Sequence, residues 1–159
     1  MDTAINLPIE LDEQASSLLC WAAVTLALGK YYQPGFQVSQ VELARGVFGN
    51  PHYNRVLHPR KALELTGTFK QALPRPLSLL EIVDELQQGY PIAACMRYFI
   101  GWHLVIVHGL TPCGELLVAD SLHGPSVYDL ASFSHAYHKH YTWSHSYLTR
   151  SPTQLPGFL

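Results

Sequence analysis

The sequence predicts an α+β domain in which a helical layer packs on a mostly antiparallel sheet, and three observations carry that reading. Helix signals crowd the first half of the chain. Glycine-bounded segments rich in β-branched and aromatic residues crowd the second half, and two of them are joined at hairpin distance by Gly109 to Gly114, a stretch that contains Pro112. Runs of helix followed by runs of strand point to segregated layers rather than to alternating parallel βαβ units.

In chain order, Ser16 to about Tyr32 carries the Ala/Leu-rich, proline-free run CWAAVTLALGKYY and reads as a helix buried on most sides, with Ser16 or Ser17 as its cap. Ser39 with Glu42, and Ser78 with Glu81, have capping-box spacing and open the helices SQVELARGVF and SLLEIVDELQQ, the latter stopping at Gly89. A further helix is expected from Arg60 to Leu65. GYPIAACMRY, GWHLVIVHGL, ELLVAD and TWSHSYL read as strands, and DLASFSHAY as a short crossing helix. The whole chain, residues 1–159, is expected to form a single domain. Residues 152–159, with two prolines and a glycine, are expected as an extended tail.

Composition excludes several function classes. Hydrophobic residues make up 48% and charged residues 14% of the chain, the balance of a packed globule rather than a disordered segment. With a formal net charge of −2 and no run of Lys or Arg, no nucleic-acid partner is expected. The longest apolar stretch, Leu18 to Leu28, is about half of the roughly 20 residues that span a bilayer, so no membrane role is expected. Met1, Asp2 and the acidic group Glu10, Asp12 and Glu13 do not form a secretory signal. The expected location is therefore cytoplasmic, or outside after export without a cleavable signal, delivery into a target cell included. Cys20, Cys95 and Cys113 form no Cys-x-x-Cys pair and leave at least one thiol free.

Cys20 falls at or near the start of the apolar helix, where unpaired N–H groups and the positive helix end stabilise negative charge on sulfur. Taken alone, it is more often a small buried apolar residue. Gln14, six residues earlier, could place its amide beside the Cys20 backbone N–H as an oxyanion hole. His103, inside a strand, is either a hydrogen-bonded core residue or a placed base. Asp120, at a strand end before the turn SLHG, could orient the second nitrogen of His103 or simply start the turn.

Through Q-x5-C-W-A-A at Gln14 to Ala23, then G-W-H-L-V-I-V-H-G, then L-L-V-A-D-S, the chain resembles the papain-like cysteine peptidases over roughly Leu7 to Leu148. The compact bacterial branches are the most similar: double-glycine leader peptidases of bacteriocin exporters and effector peptidases injected into host cells. The resemblance implies a papain-like fold and a catalytic set of Cys20 as nucleophile, His103 as proton shuttle, Asp120 as orienter and Gln14 as oxyanion donor. It also implies a protein or peptide substrate, an acyl-enzyme on Cys20 and no cofactor. Asp120 stands where plant papains have Asn, Trp102 replaces the glycine usual before the histidine, and Ser121 replaces a proline common after the Asp of leader peptidases.

The same triad would serve an acyltransferase or a glutamine deamidase, and a binding module can keep the fold without turnover. Nine histidines are many for this length, but His135, His138 and His140 lack metal-site spacing and read as surface or packing residues; no metal is expected. His108, five residues after His103, is expected on the opposite strand face, and His123 on the cleft rim or in an exposed turn. Trp21 and Trp102 read as packing, and Cys95 and Cys113 as structural or incidental.

Overall fold

The computed structural model describes residues 4–152. In order these form β1 (Ile5–Asn6), α1 (Cys20–Tyr32), α2 (Gln40–Phe48), α3 (Pro59–Leu65), β2 (Phe69–Leu73), α4 (Leu79–Gln87), β3 (Ile92–Tyr98), β4 (Gly101–Leu110), β5 (Leu116–Ala119), β6 (Ser126–Tyr128), α5 (Leu130–Ala136) and β7 (Thr142–Thr149). The α+β expectation holds: the strands make one seven-stranded sheet in the order β2-β7-β3-β4-β5-β6, every pairing antiparallel. The β3 pairing with β4 stops at Ile92 opposite Val107, and β1 takes the place beside β4 at Gly109 and Leu110.

β3 and β4 are the centre of the sheet and are covered on both faces, which is why IAACM and HLVIV are continuous apolar runs rather than alternating ones. One face carries Ala93, Cys95, Leu104 and Ile106, packed against Cys20, Val24 and Leu28 of α1 and Leu63 of α3. The other carries Ala94, Met96, Val105 and Val107, packed against Ile82 and Leu86 of α4 and Phe133 of α5. Fully burying side chains of this size stabilises by about 1.5–3 kcal/mol each, so the sheet ties the two helical layers together.

Both predicted capping boxes are present: Ser39 and Ser78 accept from the backbone N–H of Glu42 and Glu81, whose carboxylates return to the cap N–H. Asp129 caps α5 by accepting from Ser132 N at 2.8 Å. The cap of α1 differs from expectation. Neither Ser16 nor Ser17 caps it; the cap position is Leu19, with no side-chain bond, and the helix begins at Cys20. The physical reason is that the preceding loop is pinned from outside the helix. Gln14 Nε2 donates to the carbonyls of Ser16 (3.1 Å) and Ser17 (3.0 Å), and Asn54 Oδ1 accepts from Leu18 N at 2.9 Å. The Ser16 carbonyl also receives the Leu19 N–H, closing a turn. The segments β1, β2 and β6 were not among the predicted strands. Of the expected tail, only Pro152 lies within the described residues.

Candidate active site

Cys20 is the first residue of α1, at the end where backbone N–H groups have no helical partner. It is 7% exposed, packed with Val24, Leu104 and Ala119. His103 lies on β4 opposite Met96 of β3, and Asp120 follows the last residue of β5. The β4–β5 hairpin brings them together: His103 Nε2 and Asp120 Oδ1 are 2.6 Å apart, with the Asp120 side chain fully buried. Cys20 lies near enough to the same imidazole to raise its pKa. With Nε2 held by Asp120, Nδ1 is the ring nitrogen left to face sulfur.

The electrostatics follow from this geometry. Burial alone would lower the His103 pKa, but the Asp120 hydrogen bond, the nearby Cys20 and the negative charge of Asp120 outweigh it and raise it to about 9. Burial would raise the Asp120 carboxyl. The His103 bond and charge, with the other donors on its oxygens, instead hold it far below the usual carboxylate range. His103 is therefore an imidazolium at neutral pH, next to sulfur.

Asp120 is held by more than its histidine. Oδ1 also accepts from Leu122 N (2.8 Å) and His123 N (3.0 Å), donors aligned by a turn that closes with Gly124 N on the Asp120 carbonyl and needs Gly124 at φ +80. Oδ2 accepts from the Tyr137 hydroxyl at 2.6 Å. The adjacent Ser121 hydroxyl donates to Gln14 Oε1 at 3.0 Å, and Gln14 N donates to the Ser121 carbonyl at 2.9 Å. One loop thus ties Gln14 to the residue after Asp120. Both Nε2 protons of Gln14 are engaged with Ser16 and Ser17, so in this arrangement the amide shapes the loop that presents Cys20.

Asn54 and Tyr137 were missed by sequence reasoning. Neither belongs to a motif, and Tyr137 sits in HAYHKH, where the histidines draw the eye. Of those, His138 stacks on His123 at 4.4 Å, and His123 reaches Tyr141 Oη at 3.2 Å with its ring 5.8 Å from His103. His123 thus lines the rim. His108 takes no part; its Nδ1 meets the Leu7 carbonyl at 3.2 Å. Trp21 is a packing residue, edge-on to Phe48 and donating to the Arg55 carbonyl. Burial pushes the Cys95 thiol up to about 11, and Cys113 is exposed. Among the described residues, no group of three or more His, Cys, Asp and Glu side chains is placed to hold a metal ion, and no helix is long and apolar enough to cross a membrane.

Two grooves lie near these residues, one reaching Trp102 beside His103 and the other lined by Asp120 itself. One, of about 400 Å³, is lined by His58, Cys95, Arg97, Trp102, His145 and Tyr147. The other, of about 830 Å³, lies against Leu7, Ile9, Asp120, Leu122 and His123. Cys95 at the first and Ala119 at the second belong to the same apolar cluster as Cys20.

A family model described as papain-like cysteine protease AvrRpt2 matches residues 1–138. Among solved structures, a double glycine motif protease from an AMS/PCAT transporter, in complex with its leader peptide, is similar with a TM-score of 0.56 at 17% identity. The match covers 94% of this chain and 98% of that one. No curated protein matches.

Proposed function

The chain belongs to the papain-like cysteine protease AvrRpt2 family, and on that premise we propose that it cleaves peptide bonds with Cys20 as nucleophile, His103 as proton carrier and Asp120 as orienter. The supporting observation is the buried 2.6 Å His103–Asp120 contact, with Cys20 at a helix start close enough to affect the same ring.

Cys20 sulfur attacks the scissile carbonyl, and the developing oxyanion is met by the Cys20 backbone N–H and by Gln14 Nε2, which gives up one loop carbonyl to do so. His103 as imidazolium protonates the leaving amine, leaving a thioester on Cys20. The now neutral imidazole takes a proton from water as the water attacks, and collapse releases the acid product and the Cys20 thiolate beside the re-formed imidazolium. Asp120 keeps the imidazolium oriented and neutralises part of its charge throughout.

The substrate class is a peptide or protein segment lying in these grooves; the solved neighbour is described in complex with the leader peptide. We assign the protein the role of a processing or host-directed effector peptidase. The test is labelling with an epoxide or iodoacetamide probe at about pH 6, below the histidine midpoint, followed by peptide mapping, alongside mass spectrometry of a peptide library incubated with wild type and Cys20→Ala. Preferential labelling of Cys20, with paired fragments from wild type only, supports the proposal. Equal labelling of Cys95 or the exposed Cys113 refutes an activated nucleophile, and an intact-mass shift without fragments refutes hydrolysis in favour of deamidation or acyl transfer.

A further inference from the structure

Resting on that reading of the site, we infer that Tyr137 is a positioning residue of the catalytic set, acting on His103 through the second oxygen of Asp120. The carboxylate divides its oxygens. Oδ1 takes His103 and two backbone N–H groups, whereas Oδ2 has the Tyr137 hydroxyl, at 2.6 Å and with Tyr137 itself 0% exposed. A buried carboxylate oxygen without a donor is costly, so this one hydroxyl decides how much negative charge is left for the imidazolium.

The fold supports the hydroxyl with some strain. Tyr137 leaves α5 at its C-cap, and the chain reverses at once through His138 and Lys139, both left-handed at φ +43 and +70, so that Tyr141 N returns to the Tyr137 carbonyl at 3.0 Å. Two consecutive non-glycine residues in that region are strained and persist where surroundings over-determine them. Here the surroundings are the rings of Tyr128, Phe133 and Tyr141, at 4.9, 5.2 and 5.8 Å from that of Tyr137. Burial, together with the Asp120 bond and charge, holds the phenol protonated well beyond its ordinary range, so it acts only as a donor toward Asp120.

The titratable groups facing the pair are Cys20 from α1, His123 from the Asp120 turn, Tyr137 after α5 and Tyr141 before β7, with His138 behind His123. Among these, Tyr137 is the group bonded to Oδ2.

The experiment is a ¹⁵N-histidine NMR titration of His103, following its midpoint and the low-field Nε2 proton shared with Asp120, in wild type, Tyr137→Phe and Tyr137→fluorotyrosine. Phe keeps the ring packing and removes the donor, leaving a more basic carboxylate. The His103 midpoint rises by roughly half to one pH unit, the size of one hydrogen bond, and library cleavage slows by about 3- to 10-fold as the imidazolium becomes a weaker acid. Fluorotyrosine is a stronger donor and moves the midpoint down. An unmoved midpoint in both variants overturns the inference, and if Tyr137→Phe does not fold, the fluorotyrosine result decides alone. A wild-type midpoint near the ordinary histidine value refutes instead the ion-paired site on which the inference rests.

Discussion

Asp120→Asn separates the charge of the orienter from its shape. Oδ1 keeps the bonds from His103, Leu122 and His123, and the amide nitrogen replaces Oδ2 opposite Tyr137, whose hydroxyl can turn to accept. What is lost is the negative charge. In the native protein the His103 pKa rises from 6.5 to about 9, and each unit corresponds to about 1.4 kcal/mol, so the folded state gains about 3 kcal/mol from binding that proton more tightly than the unfolded chain does. Because the folded pKa is the higher one, this contribution is complete below pH 6.5 and disappears as pH rises through about 9. The depressed Asp120 pKa is the same interaction seen from its partner and is counted once. The amide variant leaves a buried imidazole that resists protonation. The stability difference between wild type and Asp120→Asn is therefore about 3 kcal/mol or more at about pH 6 and shrinks steadily toward about pH 9.5. Urea unfolding under reducing conditions, followed by the fluorescence of buried Trp21 and Trp143, measures it. A difference that stays constant over that range refutes the assignment of an ionised Asp120–His103 pair.

Two further outcomes follow from the geometry. Gln14→Ala frees the Ser16 and Ser17 carbonyls and removes the amide proposed for the oxyanion hole, so kcat falls by roughly 10²- to 10³-fold with KM little changed; an unchanged kcat in steady-state peptide cleavage counts against both roles. Gly109→Ala places a Cβ 2.3 Å from the Ile5 carbonyl oxygen, a backbone contact that β1 cannot relieve cheaply, and 2.7 Å from the Leu117 side chain at Cδ1. It should cost about 1–3 kcal/mol in thermal unfolding and speed hydrogen exchange at the Leu7 amide, which donates to His108 O.

The elements legible in the sequence are those whose signal is local. Ser39 with Glu42 and Ser78 with Glu81 report their helices because a capping box is closed within four residues. IAACMRY and GWHLVIVHGL report central strands because both faces are buried. FKQAL and SVY were not legible: they form the two edge strands β2 and β6, each with one neighbour and little buried surface, so their composition carries no clear pattern.

At the site the division is the same. The order Gln14, Cys20, His103, Asp120 is a property of the sequence, and the resemblance it carries was enough to identify the fold and the peptidase family. The sequence alone also placed Cys20 at or near a helix start, and the structure makes it the first residue of α1. That placement depends on Gln14 and Asn54 holding the loop from outside the helix, and Asn54 is 36 residues from the backbone N–H it accepts. Likewise Tyr137 reaches Asp120 across 17 residues and Gln14 reaches Ser121 across 107, with no motif joining them. Caps and periodicities are set by neighbours within a turn or a strand, whereas the charge on a buried carboxylate is set by whatever the fold brings against it. The sequence therefore determined which groups could react, and the tertiary structure decided which donors hold Asp120 and how strongly His103 keeps its proton.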